Sequence, residues 1–428
     1  MLAPATTRVQ APGIPRGAAR AHRPRCPARA GGGGAGGGGG SQLRIPAVYM
    51  RGGTSKGVFF VAQDLPADPV ARDRILLRVI GSPDPYGQHI DGLGGATSST
   101  SKVVILSRSR RPGFDVDYLF GAVAVREAVI DWSGNCGNLS SAVGPFAICA
   151  GLVPAPPEGL ATVRIWQANI GKPIIARVPM RGGEVVEDGD FELDGVAFSG
   201  AEIALEFVDP GADGGEAARS GLFPTGHRLD RLAIPGVGQV EATLIDAGNP
   251  TIFIDAEGMG LRGTELQSDV NGNQNILARA EAIRAHGAVA MKLVATPGEA
   301  TRTRPHTPKL ALVAPPTDYV AANGTTIRAD TVDLLARIFS MGALHHAMTG
   351  TGAVAIAAAA AIPGTVVSRV AATDSEGKLR FGHPSGTLTV GAQAVEANGA
   401  WTIEKVRMSR SARRLMEGWV RVPAGTMA

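Results

Sequence analysis

Ser133-Gly-Asn-Cys-Gly-Asn-Leu-Ser-Ser141 runs directly into Ala-Val-Gly-Pro-Phe-Ala-Ile-Cys-Ala-Gly-Leu (142–152), which places the Cys136 thiol just ahead of a helix-like apolar stretch. The first turn of a helix has backbone N–H groups without intrahelical partners, and the helix dipole adds partial positive charge there. Both favour a thiolate, and the same N–H groups hold a carboxylate equally well. Upstream, Gly94-Gly-Ala-Thr-Ser-Ser-Thr-Ser-Lys102 delivers a lysine to the start of a β-rich run, Val-Val-Ile-Leu-Ser (103–107). The apolar strand draws Lys102 towards a partly desolvated place, where a neutral amine is a competent base.

Working outward, Leu43 to Arg51 reads as a strand, Gly52-Gly-Thr-Ser-Lys-Gly57 as a turn and Val58 to Val61 as a second strand. Periodicity predicts a helix over 68–80 and paired strands over 115–130 and 162–178. The second half repeats the first. Val240 to Asp246, Ala247-Gly-Asn-Pro250 and Ile252 to Ile254 echo the opening hairpin and set Asn249 opposite Ser55, 194 residues on. Thr307 to Val313 echoes Thr100 to Leu106, with Lys309 opposite Lys102 at an offset of 207. Thr349-Gly-Thr-Gly-Ala-Val-Ala-Ile-Ala (349–357) echoes the Cys136 segment, with Thr351 opposite Cys136 at 215. Three landmarks in one order, with slowly growing offsets, argue for a duplicated α/β unit. Such a duplication aims two helix N-termini at one cleft, a setting that suits di- and tricarboxylates without a metal.

Composition narrows the function classes. The chain has 428 residues, more than one comfortable core, so two domains are expected. The net charge of +4 comes from residues 1–41, which hold six arginines and no acid; removing them leaves 36 basic against 38 acidic residues, a net of −2. The remainder is not basic, which removes the electrostatic argument for nucleic-acid binding. Residues 1–41, with nine glycines between Gly31 and Gly40, are expected to be a disordered Arg/Gly-rich extension. They lack the apolar helical stripe of a transit peptide. The longest apolar run, Gly352 to Pro363, is too short to span a bilayer, so no membrane role is expected. Three cysteines form neither a disulfide framework nor a zinc pattern, and point to a reducing, cytoplasmic setting without a structural metal.

Familiar cofactor motifs fail on context. Gly350-Thr-Gly-Ala-Val-Ala355 matches a relaxed dinucleotide fingerprint, but Leu344-His-His-Ala-Met348 stands where an apolar strand belongs. No phosphate loop and no Gly-x-Ser-x-Gly elbow occur. Lys56 lies in a Gly/Ser/Thr-rich turn and reads as a carboxylate partner. His345 and His346 bound the expected cleft.

Assembled, these residues resemble the 2-methylaconitate cis–trans isomerase family, often called PrpF. The matching text is Met50-Arg-Gly-Gly-Thr-Ser-Lys-Gly-Val-Phe-Phe60, Asp91-Gly-Leu-Gly-Gly-Ala-Thr-Ser-Ser-Thr-Ser-Lys102, Gly134-Asn-Cys-Gly-Asn138 and Thr349-Gly-Thr-Gly352. The resemblance implies an α+β fold of two pseudo-symmetric diaminopimelate epimerase-like domains, each a mixed sheet around a central helix, with the site between them. Expected boundaries are 42–200, completed by a C-terminal strand over 401–428, and 201–400. The implied activity is a cofactor-independent allylic proton shift on a small unsaturated polycarboxylate. The 4-oxalomesaconate tautomerases share these motifs, and a non-catalytic carboxylate binder would share the scaffold. The resemblance assigns catalysis to Lys102 and Cys136. Substrate anchoring is expected from Arg51, Thr54, Ser55, Lys56, Asn135, Gly137, Asn138, Asn249, Gly350, Thr351 and Gly352. Racemases of this fold carry a thiol at both helix ends; Thr351 at the second end disfavours two-thiol racemisation. No metal is implied, and a homodimer is left open. Deleting residues 1–41 should leave folding and turnover unchanged, which thermal unfolding and an activity assay of the truncated chain would check.

Overall fold

From Leu160 to Gln167 the side chains alternate, with Ala161, Val163, Ile165 and Gln167 turned inward and Thr162 and Arg164 outward, the two-residue period of a strand with one buried face. Strands of this kind make up most of the molecule, an α+β fold. The structure is a computed structural model that describes residues 42–211, 221–371 and 373–427; the tail over 1–41 lies outside the described residues.

In the first half, β1 (Gln42–Gly52) turns through Gly53 and Thr54 into β2 (Ser55–Val61). Helix α1 (Pro69–Ile80) begins where Asp68 accepts from the Ala71 N–H at 2.8 Å and ends at Gly81, whose φ of 87° suits a residue without Cβ. Then come β3 (Lys102–Arg108), β4 (Val116–Val123), β5 (Ile130–Asp131) and the central helix α2 (Ser140–Cys149). β6 (Gly159–Gln167), β7 (Lys172–Arg181), β8 (Glu184–Val185) and β9 (Ile203–Val208) follow.

The second half opens with β10 (Asp230–Ile234), β11 (Gly238–Ala247) and β12 (Asn249–Asp255). Helices α3 (Gln267–Val270), α4 (Gln274–Ala290) and α5 (Pro297–Thr303) lead to β13 (Lys309–Ala314). A separate small hairpin, β14 (Tyr319–Val320) and β15 (Thr326–Ile327), precedes β16 (Leu334–Ser340) and β17 (Ala343–Leu344). The central helix α6 (Gly350–Ala360), α7 (Val366–Val370), β18 (Lys378–His383) and β19 (Gly386–Ala397) complete the repeat. Residues 400–423 form two strands rather than one, β20 (Ala400–Arg410) and β21 (Ala412–Pro423).

The pairings repeat. In the first half β1–β2 is antiparallel, β2–β3 parallel, β3–β4 antiparallel, β4–β6 parallel and β6–β7 antiparallel. The second half runs β11–β12, β12–β13, β13–β16, β16–β18 and β18–β19 in the same alternation of senses. β9 and β20 pair antiparallel with each other and join the halves, while β21 lies along β1. Each half wraps its own helix. Every residue of α6 and the first eight of α2 are buried, as all-apolar helices must be. No helix among the described residues is long and apolar enough to cross a membrane.

The N-termini of α2 and α6 meet. A Cβ on Gly350 would lie 2.4 Å from the Asn138 nitrogen, and one on Gly137 would lie 2.6 Å from the Gly350 carbonyl carbon. Asn249 ties the junction: its Oδ1 accepts from the Asn135 N–H at 2.8 Å, and its Nδ2 donates to Asn135 O at 2.9 Å and to Thr351 Oγ1 at 3.1 Å. Gly350→Ala should therefore destabilise the protein by about 1–3 kcal/mol or more through overpacking, with Gly258→Ala, where a Cβ meets nothing within 4 Å, as the near-neutral control in urea unfolding. Asn249→Ala leaves the buried Asn135 N–H without its acceptor and should cost about 1–3 kcal/mol, read as a lower Tm.

Candidate active site

Lys102 opens β3 and is 5% exposed, held down by the apolar strand that follows it. Its Nζ donates to Ser55 Oγ at 3.0 Å and to Cys136 Sγ at 3.1 Å. The sulfur also receives the Leu139 N–H at 3.4 Å, so two donors converge on it. The two expected catalytic groups are thus in contact and address a ligand from one side, not from opposite faces. Phe120 lies under the amine, with the ring centroid 5.6 Å from Nζ.

Ser55, which receives the amine, lines an open cleft of about 1670 Å³ walled by both halves; Lys102 and Cys136 lie behind that wall and do not line it. Arg51, Thr54, Ser55 and Lys56 line it. Lys56 Nζ rests 5.5 Å from the Tyr49 ring centroid, while Arg51 donates to the carbonyls of Gly53 and Ser411. The remaining expected anchors are buried at the helix junction. Asn135 keeps a buried Nδ2 without a partner, a donor free for a ligand. Asn138 donates to Thr54 Oγ1 at 3.0 Å and accepts from Arg410 Nε at 3.0 Å. Asn249 has both amide hydrogens committed to Asn135 and Thr351, so here it is a clamp and not an open anchor. Gly137, Gly350 and Gly352 contribute backbone only, where a side chain would break the close approach.

The equivalence of the two helix starts needs correction. Thr349 Oγ1 accepts from the Gly352 N–H at 3.1 Å, just as Cys136 Sγ accepts from the N–H three residues on. Thr349, not Thr351, therefore stands where Cys136 stands, and the offset is 213. A hydroxyl still replaces the second thiol, so the argument against two-thiol chemistry survives the shift.

Several groups were given no binding or catalytic role from the sequence. Arg410, at the end of β20 and 1% exposed, is brought to about 10 by desolvation. Lys309, 1% exposed, donates to Ser340 Oγ at 2.7 Å and to His306 Nδ1 at 3.1 Å. Its place at the head of an apolar strand, with a histidine three residues earlier, was a readable signal. His345 and His346 do wall the cleft, their rings stacked at 4.6 Å. His345 Nδ1 accepts from the Ala347 N–H, which leaves the proton on Nε2, and that buried Nε2 has no partner. Burial first, then His346 and Lys102, hold His345 well below the usual histidine range, so it is a neutral donor.

The site therefore gathers Lys102, Lys309 and Arg410 at two converging helix N-termini, with Asp131 the nearby carboxylate. Both Asp131 oxygens are occupied, by the N–H groups of Ser133 and His306 at 2.8 and 2.7 Å. Such an excess of positive character wants an anionic ligand. Among the described residues no three His, Cys, Asp or Glu side chains are grouped to hold a metal ion.

Known proteins resemble this chain over nearly all its described length. The family model described as "PrpF protein" matches residues 42–423. A 2-methyl-aconitate isomerase from Shewanella oneidensis is 59% identical over 389 residues, 89% of this chain and 98% of the relative. A 4-oxalomesaconate tautomerase from Pseudomonas putida is 38% identical, over 89% of this chain and 96% of its own. The crystal structure of a methylitaconate-delta-isomerase superposes with a TM-score of 0.70 at 40% identity, covering 91% of this chain and 98% of that one. With a family model spanning nearly all the described chain and full-length isomerases this similar, the chain belongs to the PrpF family.

Proposed function

We propose that this isomerase acts on a small unsaturated tricarboxylate of the 2-methylaconitate type, shifting an allylic proton without a cofactor. The observation that carries the reading is the buried Lys102 amine, 3.1 Å from Cys136 Sγ and 3.0 Å from the Oγ of Ser55, which lines the cleft together with Arg51 and Lys56. In the step we envisage, Lys102 Nζ takes a proton from the carbon next to the double bond. The C–H electron pair spreads through the alkene into the adjoining carboxylate, giving a dienolate. Lys102 then returns the proton, to the same carbon after rotation about the former double bond or to the far allylic carbon. Cys136 and Ser55 orient the amine by accepting its other hydrogens. Arg51, Lys56 and the free Nδ2 of Asn135 would hold carboxylates, each charge-assisted bond contributing about 1.5–3 kcal/mol. The greater likeness to a methylaconitate isomerase than to an oxalomesaconate tautomerase favours the first substrate class.

Proton NMR in deuterated water over a panel of aconitate-like and oxalomesaconate-like acids tests the substrate class; exchange and isomerisation confined to the oxalomesaconate-like acids would transfer the assignment to a tautomerase. Lys102→Ala should lower kcat by about 10²–10⁴ while the protein stays folded and binds substrate. Cys136→Ser, which keeps an acceptor beside the amine, should lose less. Lys56→Ala should act mainly on KM. Near-normal kcat in Lys102→Ala would refute the mechanism.

A further inference from the structure

Lys102 has a counterpart that the step above does not use. β13 occupies the place of β3 in the repeat, and Lys309 opens it as Lys102 opens β3. Each lysine lies beneath a serine that lines the cleft: Lys102 donates to Ser55 Oγ, and Lys309 donates to Ser340 Oγ at 2.7 Å. A serine hydroxyl that accepts from an amine retains its own O–H for a ligand. Both halves thus reach the cleft through a lysine and a hydroxyl.

The third partner differs. Lys102 touches the Cys136 sulfur, whereas Lys309 touches His306 Nδ1 at 3.1 Å. His306 Nε2 lies 3.2 Å from the carbonyl oxygen of Asn135, and a carbonyl can only accept, so Nε2 carries the proton and Nδ1 receives the lysine. Burial, then Lys309 and Lys102, hold His306 well below its usual range, and it stays neutral. The second lysine therefore has a fixed neutral acceptor where the first has a thiol. It is equipped to hold, not to exchange protons with a neighbour.

A buried lysine without a carboxylate on it is costly unless an anion arrives. The charged or titratable groups facing Lys309 are Lys102, Asp131, Cys136, Arg284, His306 and His345, and Asp131, the one carboxylate among them, is taken up by backbone N–H groups. We propose that Lys309 is a positioning residue: acting through the Ser340 hydroxyl, it holds the substrate carboxylate remote from the carbon that Lys102 deprotonates. This role rests on the isomerase reading above and extends it to the second wall of the cleft.

The charge of the amine supplies a signature. Burial first, then Lys102, bring Lys309 to about 7, with Asp131 and Cys136 pulling upward. A group at that value is cationic below pH 7 and neutral above it, so the anion it holds is bound more tightly at pH 6 and released as pH rises through 7. Substrate carboxylates, near 4, stay ionised throughout.

The test is calorimetric binding of tricarballylate, a saturated tricarboxylate that cannot undergo an allylic shift, at pH 6 and pH 8, beside kcat and KM for the preferred unsaturated acid. Wild-type affinity should fall by up to about tenfold between the two pH values. Lys309→Arg should flatten that response, whereas Lys309→Met should bind weakly at both. Ser340→Ala, a small change at the cleft wall, should raise KM at least about tenfold with kcat kept within about threefold. Should Lys309→Met misfold by circular dichroism, Ser340→Ala still decides the matter. Unchanged affinity in Ser340→Ala, or a wild-type pH response preserved in Lys309→Met, overturns the proposal. If wild-type protein binds tricarballylate with this pH response yet turns over no unsaturated acid, the isomerase reading fails while the role of Lys309 stands.

Discussion

Two glycines, Gly137 and Gly350, let the first turns of the central helices touch backbone to backbone, and the rest of the molecule is arranged around that contact. Helix N-termini repel each other through their partial positive charge, by a few tenths to about 1 kcal/mol for each unit charge nearby. Bringing two of them together beside Lys102, Lys309 and Arg410 is therefore unfavourable unless negative character is supplied. The protein supplies some of it, through the Cys136 sulfur, the Asp131 carboxylate and the carbonyl of Asn135. The polycarboxylate proposed above would supply the rest.

Duplication gave the halves one frame and divergence gave them different tasks. Cys136 answers to Thr349, and each accepts from the N–H three positions on, though only Thr349 caps its helix. Around the two lysines the substitution is more telling, since one amine meets a sulfur and the other an imidazole fixed by a carbonyl. In the roles proposed above, one side of the cleft moves a proton and the other holds charge. A symmetric pair of thiols would serve inversion at a saturated centre, and this asymmetry is what the proposed allylic shift would use.

How much was legible depended on distance along the chain. The repeat showed in sequence because strand starts carry local signals: Ser55 and Asn249 begin β2 and β12, and Lys102 and Lys309 begin β3 and β13, at the offsets read directly. The third offset was two residues too long, because similar Gly-Thr-Gly text does not reveal which side chain caps the helix; only the bond from Gly352 to Thr349 does. Asn249 reads as an anchor in sequence, and its commitment to Asn135, 114 residues away, is a tertiary fact. Arg410 sits in an ordinary strand pattern that says nothing of its bond to Asn138.

The pairing of β1 with β21 carries a consequence for the order of assembly. Gln42 faces Pro423 and Gly52 faces Ala412, so β1 leaves the ribosome well before the strand that flanks it. β9 likewise waits for β20. Contacts this remote in sequence are slow to form, and an unpaired strand edge is open to wrong partners in the meantime. During synthesis the first half can wind β2, β3 and β4 around its helix, yet the edge of β1 stays unsealed until β21 has been made. That wait is a cost of closing the first half with strands that follow the second.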